Sequence, residues 1–201
     1  MAFGNKGAGW LQAGAKTRNP YFGPAMLACG DVMATFHSQA PLNVPDSFRA
    51  QLANLYDAYL KLQTELAADR PTESITAVQQ VRMLLDKIDP SKLDERASGS
   101  WTLAKKQMAD ALNGDLGKLK IDTLRTRFEP LSITMLGVVD NFGHAQDAPL
   151  YKAFCPMAFG NKGAPWLQAD LKIANPYFGA KMLRCGSIKR TYEAAVAEEN
   201  Q

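Results

Sequence analysis

Histidine and cysteine are scarce in this chain, two and three residues among 201. That leaves little for zinc, which prefers several thiolates or imidazoles. The odd cysteine number leaves one thiol over in an oxidising compartment. No apolar run approaches the ~18 residues of a membrane span, so no membrane insertion is expected. The opening residues, Met1-Ala2-Phe3-Gly4-Asn5-Lys6, lack the basic start and apolar core of a signal peptide. No sign of charge dominates either. The formal net charge is +3, and acids and bases alternate along the helical stretches, which gives nucleic-acid binding no support. Nucleophile–base pairs, phosphate loops and HExxH patterns are missing. Gly4-Asn5-Lys6-Gly7 has a lysine between glycines but not the P-loop spacing or its Ser/Thr. An enzyme is therefore not expected. What remains is a chain with 46% apolar residues, the composition of a globular protein.

The chain does contain a duplication. Residues 1–30, MAFGNKGAGWLQAGAKTRNPYFGPAMLACG, align without a gap to residues 157–186, MAFGNKGAPWLQADLKIANPYFGAKMLRCG, and about 22 of the 30 positions are identical. Met26 matches Met182, and Cys29 matches Cys185. The second copy follows Cys155-Pro156, whereas the first begins at its Met. The expectation is a chain cut within a longer protein, whose complete pair of motifs would hold four cysteines. Two copies separated by more than a hundred unlike residues are not a solenoid, whose repeats touch their neighbours. They read as two small modules joined by a different domain.

The middle reads as helices. Over 46–69, Phe48, Leu52, Leu55, Tyr59, Leu62 and Leu66 recur at three- and four-residue steps behind Pro45 and a capping Asp46 or Ser47. A second helix opens at Pro71 and runs to about 89, with Ile75, Val78, Val81, Leu85 and Ile88 apolar and Pro90 as its stop. A third is predicted over 93–113, where Ser98-Gly99-Ser100 breaks its start and Asn113-Gly114 ends it. A fourth covers 117–142, and Pro130 should kink or divide it. Short connections between four amphipathic segments predict an up-down, antiparallel four-helix bundle. Met83, Met108 and Met135 sit at core spacing and read as filler. The chain thus divides into a truncated Cys/Met motif at 1–40, a bundle at 41–146, and a complete Cys/Met motif with its tail at 147–201. The fold class is mainly α, with a loop-rich module on either side of the bundle.

The complete motif sets Cys155 and Met157 two apart and Met182 and Cys185 three apart. Between them, turns are predicted at Asn161-Lys162-Gly163 and Asn175-Pro176-Tyr177-Phe178-Gly179. Met182 and Cys185 share a face if their segment is a helical turn. Bringing the ends together gathers two thiolates and two thioethers, a set that selects Cu(I) and by extension Ag(I). Met26 and Cys29 form the weaker first site. Spacing alone leaves two other readings open. Cys155 and Cys185 can close a loop as a structural disulfide, worth roughly 3–4 kcal/mol in the chain-entropy model, or remain inert buried thiols. His37 and His144 do not match in the repeat and read as structural or surface residues. Trp10 and Trp166, Tyr21 and Tyr177, and Phe22 and Phe178 read as miniature module cores.

Cys155-Pro156-Met157-Ala158, Trp166-Leu167-Gln168, Asn175-Pro176-Tyr177-Phe178-Gly179 and Met182-Leu183-Arg184-Cys185-Gly186 resemble the Cys/Met segment found with CusB-type periplasmic adaptors of heavy-metal efflux systems. The bundle followed by this segment is similar to a small helical domain that accompanies those adaptors. The resemblance implies a periplasmic protein that handles Cu(I) or Ag(I). Its implied partners are efflux-pump components or a copper chaperone, and it favours metal over disulfide at the cysteines. The adaptor's barrel, lipoyl-like and hairpin parts are absent from this chain. The rival reading is a disulfide-stapled interaction module without metal. A homodimer, in which the incomplete first motif borrows from another chain, is a third expectation.

Overall fold

The computed structural model describes residues 41–115 and 119–193. Four helices carry most of it: α1 (Asp46–Ala67), α2 (Pro71–Lys87), α3 (Glu95–Ala111) and α4 (Ile121–Phe142). Three residues join α1 to α2, so the chain reverses at once and α2 packs back along α1. Pro71 occupies the first turn of α2, where its missing N–H is not needed. Asp94 caps α3 by accepting the Ala97 N–H at 2.7 Å. The apolar stripes meet in a common core, in which Phe48 sits edge-on to both Trp101 (5.6 Å) and Phe142 (5.4 Å). The architecture is mainly helical, and the four helices around one core suit a bundle.

The helices depart from the sequence pattern in three places. Ser98-Gly99-Ser100 lies inside α3 and does not break it, because the Asp94 cap and the buried faces of Ala97 and Trp101 hold the turn around it. Pro130 lies inside a continuous α4, where Phe128, Leu131 and Met135 are buried on both sides of it. The lost proline N–H is one hydrogen bond against that apolar contact. Met83, read as core filler, is 43% exposed, whereas Met108 and Met135 are fully buried; Leu103, off the buried stripe of α3, is 59% exposed.

The C-terminal segment is not built from loops alone. Three antiparallel strands, β1 (Leu150–Cys155), β2 (Ala164–Gln168) and β3 (Ser187–Tyr192), form a sheet in the order β2-β1-β3. Cys155 pairs with Ala164 at one end, and Leu150 pairs with Tyr192 at the other. β2 packs on α4 and α1, and its Trp166 and Leu167 are fully buried in the same core as the helices. Aromatic rings mark the junction. Tyr59 stacks on Phe128 at 5.2 Å, Phe128 meets Tyr177 at 5.8 Å, and Tyr177 meets Trp166 edge-on at 5.8 Å. The miniature core predicted for the module is therefore continuous with the core of the helices.

Candidate metal centre

Cys155 ends the central strand and is fully buried, whereas Cys185 sits in the turn before β3 and is partly exposed. Their sulfurs lie 3.2 Å apart and are not bonded. The register explains the meeting: Phe154 pairs with Ser187, so the residues just before Ser187 come level with the end of β1. The Cys155 sulfur, as hydrogen-bond partner, pushes the Cys185 thiol above its ordinary 9.0, and burial and the charge of Cys155 act the same way. Two thiolates on one ion, at bonds of about 2.3 Å, stand about 3.8 Å apart at the tetrahedral angle and about 4.6 Å apart when collinear. Seating an ion here opens the pair by roughly 0.6–1.4 Å.

A buried amide holds the Cys185 turn. Asn175 Nδ2 donates to the Cys185 carbonyl at 2.7 Å, its Oδ1 accepts the Tyr177 N–H at 2.8 Å, and its own N–H donates to the Leu183 carbonyl at 2.8 Å. The Cys185 N–H donates to the Met182 carbonyl at 2.9 Å, so Met182 and Cys185 do share one turn. Gly186 follows at φ 135°. A Cβ there would stand 2.9 Å from the Trp166 ring and 3.0 Å from the Phe154 carbonyl oxygen, so the turn passes too close to β1 for any side chain. On the other side of Cys155, Phe159, Gly160 and Asn161 run left-handed at φ 51°, 69° and 68°. This tight reversal carries the chain from β1 into β2. It strains a non-glycine backbone at Phe159, whose ring rests on Tyr177 at 5.3 Å.

Polar pins from the helices fix the segment. Arg125, almost buried on α4, donates from Nε to the Pro176 carbonyl at 2.9 Å and from Nη2 to both the Leu66 carbonyl and Asp69. Asp69 also accepts the Ala180 N–H at 2.7 Å. Gln63 donates to the Ala174 carbonyl at 2.6 Å, and the Tyr59 hydroxyl accepts the Leu167 N–H at 3.1 Å. A Cβ on Gly179, at φ 57°, would collide with the Asp69–Arg125 pair.

Of the predicted ligands, the structure brings Cys155 and Cys185 together and puts Met182 in the Cys185 turn. Met157, 47% exposed, stands two residues beyond Cys155 at the surface. Met26, Cys29 and His37 lie outside the described residues. His144 is buried and its Nε2 meets the Tyr192 carbonyl at 2.9 Å. Tyr192 pairs with Leu150, five residues of strand from Cys155, or roughly 16 Å at ~3.3 Å per residue. His144 is thus a residue of the far end of the sheet. Among the described residues no three of His, Cys, Asp and Glu gather at one point. Further ligands for the thiol pair would therefore be methionine sulfurs or groups from outside those residues. Sequence reasoning gave Asn175 only a turn, which an asparagine before proline signals, and missed its grip on the Cys185 carbonyl ten residues on, which no local pattern announces.

Residues 55–147, from within α1 to the approach to β1, match the family described as Protein of unknown function (DUF3347). The match covers α2, α3, α4 and the part of α1 from Leu55 on, and stops before the thiols. No curated protein and no solved structure matches the chain. No helix among the described residues is long and apolar enough to cross a membrane.

Proposed function

We propose that this protein binds Cu(I), and by the same chemistry Ag(I), outside the cytoplasm through the sulfurs of Cys155 and Cys185. Met182 and Met157 complete the ligand set, and the ion is handed on to a component of a heavy-metal efflux system or a copper chaperone. The observation that carries this reading is the unbonded thiol pair at 3.2 Å, one sulfur enclosed and one at the surface. Two soft donors with methionines two and three residues along the chain suit a soft ion of low coordination number, and thioethers release such an ion readily. The chain then acts as an accessory or C-terminal region of an efflux adaptor, as the resemblance of its Cys/Met segment implies. Met26 and Cys29 contribute a second, weaker site.

Competition for Cu(I) against a chromogenic chelator tests the reading. Cys155→Ala/Cys185→Ala should weaken binding by more than the ~10–100-fold that loss of an outer partner of a metal ligand costs. Equal affinity in the variant and the parent would sink it. The same 3.2 Å gap favours a second reading, because bond formation needs a movement of only about 1.2 Å to reach the ~2.03–2.05 Å of a disulfide. In that reading the segment is a stapled interaction module. Intact-mass analysis of unreduced protein, with and without Cu(I), separates the two: a bond that forms in air and a thiol pair indifferent to copper belong to the second.

A further inference from the structure

The segment that carries the candidate sulfur site is basic. Between residues 150 and 193 the chain has seven Lys and Arg against two acids, Asp170 and Glu193, although the whole protein is nearly balanced at +3. Three of the cations flank the sulfur ligands and are exposed. Lys162 follows the left-handed turn after Met157, Lys181 precedes Met182, and Arg184 precedes Cys185. None of the three forms a salt bridge among the described residues. Lys181 feels the carboxylate of Asp69, and Arg184 donates to the Ile173 carbonyl. The two halves of the duplication supply an internal contrast. The second copy reads Ala180-Lys181-Met182-Leu183-Arg184-Cys185, where the first reads Pro24-Ala25-Met26-Leu27-Ala28-Cys29. The Met and Cys are kept, and both cations become alanine.

We infer that the Cys155–Cys185 face is a docking surface for a carboxylate-rich protein partner that gives or takes the ion, with Lys181 and Arg184 as its selecting charges. This rests on the copper reading above. Cations beside a partly exposed thiol raise the local concentration of an anionic partner and accelerate encounter by roughly 10–10³-fold at low salt. The gain fades as the Debye length shrinks from about 30 Å at 0.01 M salt to about 3 Å at 1 M. At the surface the ion leaves the donor's thioethers for the two sulfurs as Cu(I), with no change of oxidation state. The thiol protons pass to solvent.

The test uses the full chain and two synthetic Cu(I) donor peptides with the same Met-x-x-Met core, one flanked by glutamates and one by lysines. The Glu-flanked donor should deliver Cu(I) about 10-fold faster at low salt, and the advantage should shrink to about twofold or less at high salt. Lys181→Ala/Arg184→Ala, which gives the second copy the charge pattern of the first, should remove most of it, and Lys181→Arg/Arg184→Lys should restore it. Equal rates from the two donors, or an advantage that survives the alanine pair, would overturn the inference. Failure of the copper reading shows separately, as neither donor losing its ion. In that event the thiols themselves report the field. Dianionic dithiobis(nitrobenzoate) should react with Cys185 faster, relative to neutral dithiodipyridine, in the parent than in the alanine pair; an unchanged ratio overturns the basic face. Sedimentation with phosphatidylglycerol vesicles covers the other anionic surface. Charge-dependent binding to vesicles, together with equal donor rates, would assign the face to a membrane and overturn the protein partner.

Discussion

The helices and the C-terminal sheet are held by different means. The helices bury continuous apolar stripes against one another, and their outward faces carry mixed charge. The sheet has strands of only five or six residues, and polar groups hold it and its β2–β3 connection to the helices: Tyr59 grips Leu167 of β2, while Gln63, Arg125 and, from the α1–α2 turn, Asp69 grip the connection. Three short strands need such support, because an isolated small sheet is marginal in water. The sheet returns one such contact, Arg190 on β3 donating to Asp140 on α4 at 2.6 Å, and the apolar core is common property.

That contrast breaks most visibly in the shared core. Trp166→Ala removes a fully buried indole at the junction and should cost about 3–5 kcal/mol. If the core is one cooperative unit, urea unfolding followed by far-UV circular dichroism and by thiol reactivity should shift together; separate shifts would divide the molecule at the sheet.

The polar pins give a smaller and more selective effect. Arg125→Met strands the Pro176 and Leu66 carbonyls and should cost about 1–3 kcal/mol. Cys185 alkylation should then accelerate before the helices melt. Acid acts on the same joint through Asp69. The Ala180 N–H, and then Arg125, hold its carboxyl below the usual value near 3.8. A carboxyl depressed in the folded state contributes stability above its unfolded value and loses it as pH falls through the folded one. The joint should thus be intact at neutral pH and loosen only in acid below the usual aspartate range. Asp69→Asn should abolish that pH dependence of Cys185 reactivity.

The smallest effect is expected on the outward face of the helices. Leu103→Gln, at a side chain 59% exposed, should change stability by no more than about 0.5 kcal/mol in either direction. A larger loss would mean that this face of α3 is covered by something.

Periodicity made the helices legible because each stripe is a local record of one buried face. α1 and α2 end within two residues of the predicted 69 and 89. It misled at Ser98-Gly99-Ser100, where breaker residues are overruled by a cap at Asp94 and a buried Trp101, and at Met83, where the stripe is wider than the contact. The sheet was illegible for a different reason. The β1–β3 pairing joins residues more than thirty apart in sequence, and β3 (Ser-Ile-Lys-Arg-Thr-Tyr) has too little apolar alternation to announce itself. The proximity of Cys155 and Cys185 could be suspected from the duplicated motif. The clasp around them could not, since Arg125 and Asp69 reside in helical territory and carry no motif.

The strand order β2-β1-β3 also fixes a sequence of events during synthesis. The strand that appears first is the one in the middle, and its two neighbours are made later. Cys155 therefore emerges with both edges of its strand bare, and the first enclosure comes with β2. Its partner thiol and the closing strand, Ser187–Tyr192, are made after β1 and β2. Until then Cys155 lacks its partner sulfur while Cys29, made earlier still, is already on the chain, so the pairing of Cys155 with Cys185 waits for the segment that carries β3.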